Sequence, residues 1–139
     1  MGASAWHCIT KWEPDPNAAL ARAQGETLKA GSYGLPRRRV SLPKEATVED
    51  AREAYAEAGG SASVLDVRSI ESEPGPEVAG PFSEDVMLDL FGTLTPTRAA
   101  VMGRLGEILE LLGRGETACV VLYEAGEPEE ILFVGYTAD

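Results

Sequence analysis

Apolar residues recur along the chain with two periods, and the switches between them mark out the elements. Ala5 to Trp12 is rich in β-favouring residues and is bounded by Glu13-Pro14-Asp15-Pro16. This predicts a strand with Trp6, Cys8, Thr10 and Trp12 on one face and His7 and Ile9 on the other. Asp15 stands at a helix N-cap position with Pro16 first in the helix; Leu20, Ala23, Thr27 and Leu28 follow at helical spacing up to Gly31. Residues 31–46, with Gly34, Pro36 and Pro43, read as a long loop carrying Arg37, Arg38 and Arg39. Thr47 and Asp50 open a second, short helix like a capping box; Val48, Ala51, Ala54, Tyr55 and Ala58 continue it, and Gly59-Gly60 ends it. From Ala62 to Ile70 the pattern alternates. Ser63, Leu65, Val67 and Ser69 face one way and Val64, Asp66, Arg68 and Ile70 the other, as in a half-buried strand.

Residues 71–82 read as a Pro/Glu/Gly loop, after which Ser83 caps a short helix through Phe91 that stops at Gly92. Thr95-Pro96 begins the longest predicted helix, where Ala100, Val101, Leu105, Ile108, Leu109 and Leu112 form an apolar stripe before Gly113 and Gly115. Strands from Thr117 to Tyr123 and from Ile131 to Thr137, joined by Glu124-Ala125-Gly126-Glu127-Pro128, close the chain as a hairpin. The order predicts a single α+β domain over residues 1–139, with about four strands in a largely antiparallel sheet and helices mainly on one face. The hairpin is apolar on both faces, with Val120, Leu122, Leu132 and Val134 against Cys119, Val121, Ile131 and Phe133. A second copy of the chain, in a homodimer, is the expected cover for the face the helices leave bare; the alternative is that helices and the long loops cover both faces within one chain.

Composition narrows the function classes. A chain of 139 residues can bury enough surface to fold without a disulfide or a metal. No apolar run is long enough to cross a membrane as a helix. With 23 acidic against 12 basic side chains, the net charge of -11 repels phosphate backbones and argues against nucleic-acid binding. The charge is uneven: from Gly103 onward eight carboxylates face only Arg104 and Arg114. Such a surface either keeps the protein soluble, or docks on a basic protein partner or imitates a nucleic acid. No Lys or Arg precedes Lys11 and no long apolar core follows, which points to the cytoplasm. Trp6 occupies the position where a myristoylation pattern wants Ser or Thr.

The inventory for catalysis is thin. His7 is the 1 histidine, so histidine-based acid/base or metal chemistry would have to use it, although a lone strand histidine is more often a packing residue. Cys8 and Cys119 lie in apolar runs as small hydrophobes. His7 points to the opposite strand face from Cys8, and no Cys/His spacing supports a metal. No cofactor motif is present. Arg98, in the first turn of the long predicted helix, runs against the helix dipole and calls for a partner such as Asp66, Glu84 or Asp139, or else marks an anion-binding corner. Tyr123 and Tyr136 could present hydroxyls near the strand ends. Asp89-Leu90-Phe91-Gly92-Thr93-Leu94 looks like the nucleophile motif of haloacid dehalogenase-like hydrolases. Its context is wrong, because the remainder of the chain reads as one helix and a hairpin, without the doubly wound sheet or the later aspartate pair that chemistry needs.

Several segments together resemble a family of small bacterial proteins with no established activity. They are Trp6-His7, Asn17-Ala18-Ala19-Leu20, Ser63-Val64-Leu65-Asp66, Phe91-Gly92-Thr93, Pro96-Thr97-Arg98, Val121-Leu122-Tyr123, Gly135-Tyr136-Thr137 and Asp139. The resemblance implies that the Gly-Thr motif is a helix junction. It singles out Trp6, His7, Asp66, Arg98, Tyr136 and Asp139 as candidate binding residues without assigning them roles.

The expected function is a non-enzymatic, acidic, protein-binding or regulatory module of the inhibitor or immunity type, which occludes a basic site on its partner. The alternative is a small dimeric enzyme or ligand-binding protein of specialised metabolism, with a pocket near His7, Arg98, Tyr136 and Asp66 or Asp139. Convergence of those polar groups in a concave pocket favours the alternative; their dispersal into structural pairs on an acidic surface favours the first.

Overall fold

In the computed structural model, residues 3–31, 33, 42, 45–56 and 60–137 are described. Most of the loop read at 31–46, including the arginine run, and Asp139 lie outside them. The first half follows the sequence signals. Strand β1 (Ala5–Lys11) leads into helix α1 (Pro16–Ala30), which Asp15 caps by accepting from the Asn17 N–H and which Gly31 ends in the left-handed conformation. Helix α2 (Val48–Tyr55) carries the complete Thr47–Asp50 capping box.

The segment read as a strand from Ala62 to Ile70 is instead a 3-10 turn, Val64–Asp66, followed by a two-residue strand, β2 (Ser69–Ile70). Val64, Leu65 and Val67 are all buried, although the predicted alternation put Val64 on the opposite face from the other two. The backbone of this stretch is satisfied by side chains instead of a ladder. Gln24 Nε2 donates to the carbonyls of Val64 (3.2 Å) and Val67 (2.6 Å), while Arg52 donates to those of Leu65 (3.1 Å) and Val67 (3.0 Å). Helices α1 and α2 are thereby tied to the same buried turn.

Strand β3 (Val78–Gly80) falls inside the stretch read as a loop over 71–82. The returning chain passes so close that a Cβ on Gly80 would stand 2.1 Å from the backbone of Glu73, which requires glycine there. Helix α3 (Glu84–Phe91) is capped by Ser83 and ended by Gly92, as expected. The long helix predicted after Pro96 is two pieces, α4 (Arg98–Met102) and α5 (Leu105–Glu110), broken at Gly103, a poor helix former. Strands β4 (Thr117–Glu124) and β5 (Glu127–Tyr136) are longer than predicted. Ala125 and Gly126 alone make the turn, both with positive φ (52° and 79°), and a register shift between Leu122 and Tyr123 accommodates Pro128 inside β5.

Among the described residues the sheet has five strands, not about four, in the order β1-β5-β4-β3-β2. The long ladders, β1 with β5 and β5 with β4, are antiparallel; the short ones, β4 with β3 and β3 with β2, are parallel. β5 alone is reversed relative to the other strands. The crossover from β1 to β2 therefore runs one way across the sheet, and that from β3 to β4 runs back. Crossovers of one hand that run in opposite directions lie on opposite faces. Helices accordingly cover both faces, which corrects the expectation of one. Ala19, Leu20 and Ala23 of α1 pack with Trp6, Cys119, Ile131 and Phe133, while Val101 of α4 and Ile108 of α5 pack with Ala118, Val120, Leu122, Leu132 and Val134. The reason for expecting a second subunit on a bare hairpin face is thus largely removed within one chain. Among the described residues, no helix is long and apolar enough to cross a membrane.

The buried turn makes the first prediction. Arg52→Met, which strips Leu65 of its charged donor, should lower unfolding free energy by about 2–3 kcal/mol, whereas Gln24→Leu, whose carbonyls keep other donors, should lose about 1 kcal/mol. Urea titrations read both losses; the reverse ranking would contradict this assignment of donors.

Candidate functional site

The residues that the sequence singled out are dispersed. Trp6 is a core residue at 9% exposure, packed against α1, with its Nε1 buried and without a hydrogen-bond partner. His7 is exposed on the opposite face of β1, directly across from Val134 and diagonal to Tyr136, a spacing of roughly 7–8 Å. Among the described residues Arg98 pairs with neither Asp66 nor Glu84; its Nη1 stands 3.2 Å from both carboxylate oxygens of Glu130. That pair is exposed and so contributes little to stability. Cys8 and Cys119 both lie opposite Phe133, on either side of β5, two strand spacings or about 10 Å apart and beyond disulfide reach. Burial pushes both thiols up to about 12, helped at Cys8 by the charge of Glu26.

Of the candidates among the described residues, Asp66 and Tyr136 share a concavity. They line a cleft of about 280 Å³ at the end of the sheet where β4 begins and β5 finishes. Glu49, Arg52 and Glu53 of α2 form one wall; Gly60, Arg68, Glu77 and Thr117 contribute to the rest. Asp66 is held at its base. Its Oδ1 accepts from the Ser61 N–H and hydroxyl, both at 2.7 Å, and the Ser61 hydroxyl also meets that of Ser63 at 2.7 Å. Its Oδ2 is buried with no hydrogen-bond partner, against Gly60, where a Cβ would approach to 2.6 Å; Gly60 (φ 123°) and Ala62 (φ 54°) both hold positive φ to make the turn. Burial raises the Asp66 pKa above the ordinary aspartate value, and the hydroxyl of Ser61 with the amides of Ser61, Ala62 and Ser63 pulls it part of the way back.

The two arginines of this cleft are committed elsewhere. Arg52 serves the 3-10 turn and Glu49, and Arg68 pairs with Glu77 at 3.1 Å. The lining carries Glu49, Glu53, Asp66 and Glu77 against those two cations, so it disfavours anions. Among the described residues, no group of three His, Cys, Asp or Glu could hold a metal ion.

A second concavity was not among the sequence candidates. It is an apolar groove of about 220 Å³ beyond the end of β3, lined chiefly by Trp12, Ile70, Phe82, Met87, Val121 and Tyr123, with Leu94 at 40% exposure on its rim. The carboxyl ends of β1, β2 and β3 all open towards it, the side of an α/β sheet where ligands commonly bind. It exists because α1 begins only at Pro16 and β3 stops at Gly80, which leaves Val121 and Tyr123 half-buried on the α1 face of the hairpin. The apolar second face of that hairpin was the sequence signal for it. Exposed Glu71, Asp85 and Glu124 stand next to, or two positions from, its wall residues in the chain, and none forms an ion pair among the described residues.

No family model, curated protein or solved structure matches this chain.

Two outcomes follow from the buried groups. Because the folded Asp66 holds its proton at pH values where the unfolded chain has lost it, its contribution to stability is full below the unfolded pKa and is lost as pH rises through the folded one. Urea midpoints for wild type should fall across that window, and Asp66→Asn should flatten the fall; parallel pH profiles would refute the assignment. Both cysteines should resist thiol reagents near neutral pH until the protein unfolds, so rapid labelling of either in the folded protein would show that its environment is wetter than described.

Proposed function

We propose that this protein is a non-enzymatic binding module for another protein, of the regulatory or inhibitor kind, and that its contact surface is the end of the sheet holding the apolar groove. The observation that carries this reading is the groove itself: bulky apolar side chains line it, and exposed Glu71 and Asp85 stand next to, or two positions from, Ile70 and Met87 of its wall in the chain. An apolar centre with a polar rim is the usual anatomy of a protein contact. Further support comes from what does not converge. His7 and Arg98 are apart, and Arg98 is occupied by Glu130. Net charge of -11 favours a basic partner and speeds encounter with it.

One observation favours a second reading, a ligand-binding protein or small enzyme, dimeric or not: Asp66 and Tyr136 do share a cleft. That site would be smaller than the one expected from sequence, without His7 or Arg98.

Leu94→Glu tests the leading reading, because an exposed leucine on the groove rim can be replaced without disturbing the core; Leu111→Glu, at 52% exposure elsewhere, is its control. Proteins retained from the source cells by wild type and Leu111→Glu should be lost with Leu94→Glu at equal folded fraction. Retention indifferent to Leu94→Glu would overturn the placement of the contact surface. Loss of a small-molecule ligand on Asp66→Asn and Tyr136→Phe would move the function to the cleft.

A further inference from the structure

Strand β4 is fully paired on one side and interrupted on the other. The Tyr136 N–H donates to the Glu116 carbonyl and the Trp12 N–H to that of Glu129, which fixes the parity of the ladders. Ala118, Val120 and Leu122 turn their backbone groups to β5; Cys119, Val121 and Tyr123 turn theirs away from it. On that outer side β3 supplies a partner as far as Gly80, opposite Ala118. Pairing resumes only where the Tyr123 N–H donates to the Pro96 carbonyl at 2.9 Å. Between these points, among the described residues, no hydrogen bond from the flanking loop reaches the N–H or C=O of Val121. This gap lies along the apolar groove, whose lining includes Val121 itself, Phe82 and Leu94.

We propose that the groove is a vacant strand position which receives a short extended segment of a basic partner protein. The inference rests on the protein-binding reading above. The segment's backbone pairs with the open N–H and C=O of Val121, the groups that a buried strand otherwise leaves unsatisfied. One bulky apolar side chain enters the groove, whose volume of about 220 Å³ is below the roughly 300–1,000 Å³ typical of pockets for drug-sized ligands. Lysine or arginine residues on either side of that anchor answer the net charge of -11, with exposed Glu71 and Asp85 next to, or two positions from, the groove residues Ile70 and Met87 in the chain. A second copy of this chain is a poor occupant, because it would bring the same carboxylates face to face.

The probe is a labelled, acetylated peptide of sequence Lys-Arg-Val-Phe-Val-Arg-Lys, titrated with the full chain by fluorescence anisotropy, with Trp12 emission as a second signal from the groove. Binding is expected to weaken roughly tenfold or more when the peptide Phe is replaced by Ala, when peptide amides beside it are N-methylated, and with Leu94→Glu, but not with Leu111→Glu. Binding indifferent to the anchor and to Leu94→Glu would reduce the interaction to general charge attraction and overturn the proposal. Binding that needs the anchor but not the peptide amides would overturn the strand position. Absence of peptide binding would also overturn it, while Leu94-dependent capture of a cellular protein would still leave the broader reading standing. Concentration-dependent dimerisation of the unliganded chain, abolished by Leu94→Glu, would identify a second copy as the occupant and reject the basic partner.

Discussion

The β4–β5 hairpin is apolar on both faces, and the rest of the molecule is arranged by the need to cover it from two sides. Phe133 looks towards α1 while Leu132 and Val134 look towards α4 and α5, and all three are fully buried. Burying such side chains contributes roughly 1.5–3 kcal/mol each. The opposed crossovers supply the cover. The same arrangement explains the groove: α1 starts late and β3 ends early, so the cover fails over Val121 and Tyr123 at the hairpin tip. The functional surface proposed for this protein is the place where the main packing problem is left unfinished.

A second constraint operates at the opposite end of the sheet. The chain entering β2 is buried without being a strand or a regular helix, so each polar backbone group needs a partner from elsewhere. Gln24, Arg52, Ser61, Ser63 and Asp66 provide them. This explains why a cleft with two arginines and a buried aspartate is not persuasive as a catalytic centre. Most of its polar atoms already hold the fold together, and Asp66 Oδ2 is sealed against Gly60.

Local chemistry was legible in the sequence wherever a single residue decides it. Asp15, the Thr47–Asp50 box, Ser83, Gly31 and Gly92 all cap helices where their types predicted. What escaped was set by distant contacts. Residues 62–70 alternate in sequence, yet Gln24 and Arg52 hold Val64 to Val67 in a buried turn by bonding its carbonyls. β3 consists of three residues whose pairing with Thr117 and Ala118 no local pattern announces. That helices cover both faces follows from the strand order β1-β5-β4-β3-β2, whose two opposed crossovers leave no local signal. Among the site candidates, Trp6 and Arg98 were informative about packing and ion pairing. The apolar second face of the hairpin was the sequence signal for the groove.

The most direct check of this account is backbone amide hydrogen exchange along β4 in the free protein. The account predicts that the Val121 amide exchanges much faster than those of Val120 and Leu122, which point to β5, because no described residue pairs with it. Protection of Val121 equal to that of its two neighbours would mean that the strand position beside it is already filled, and would contradict the account.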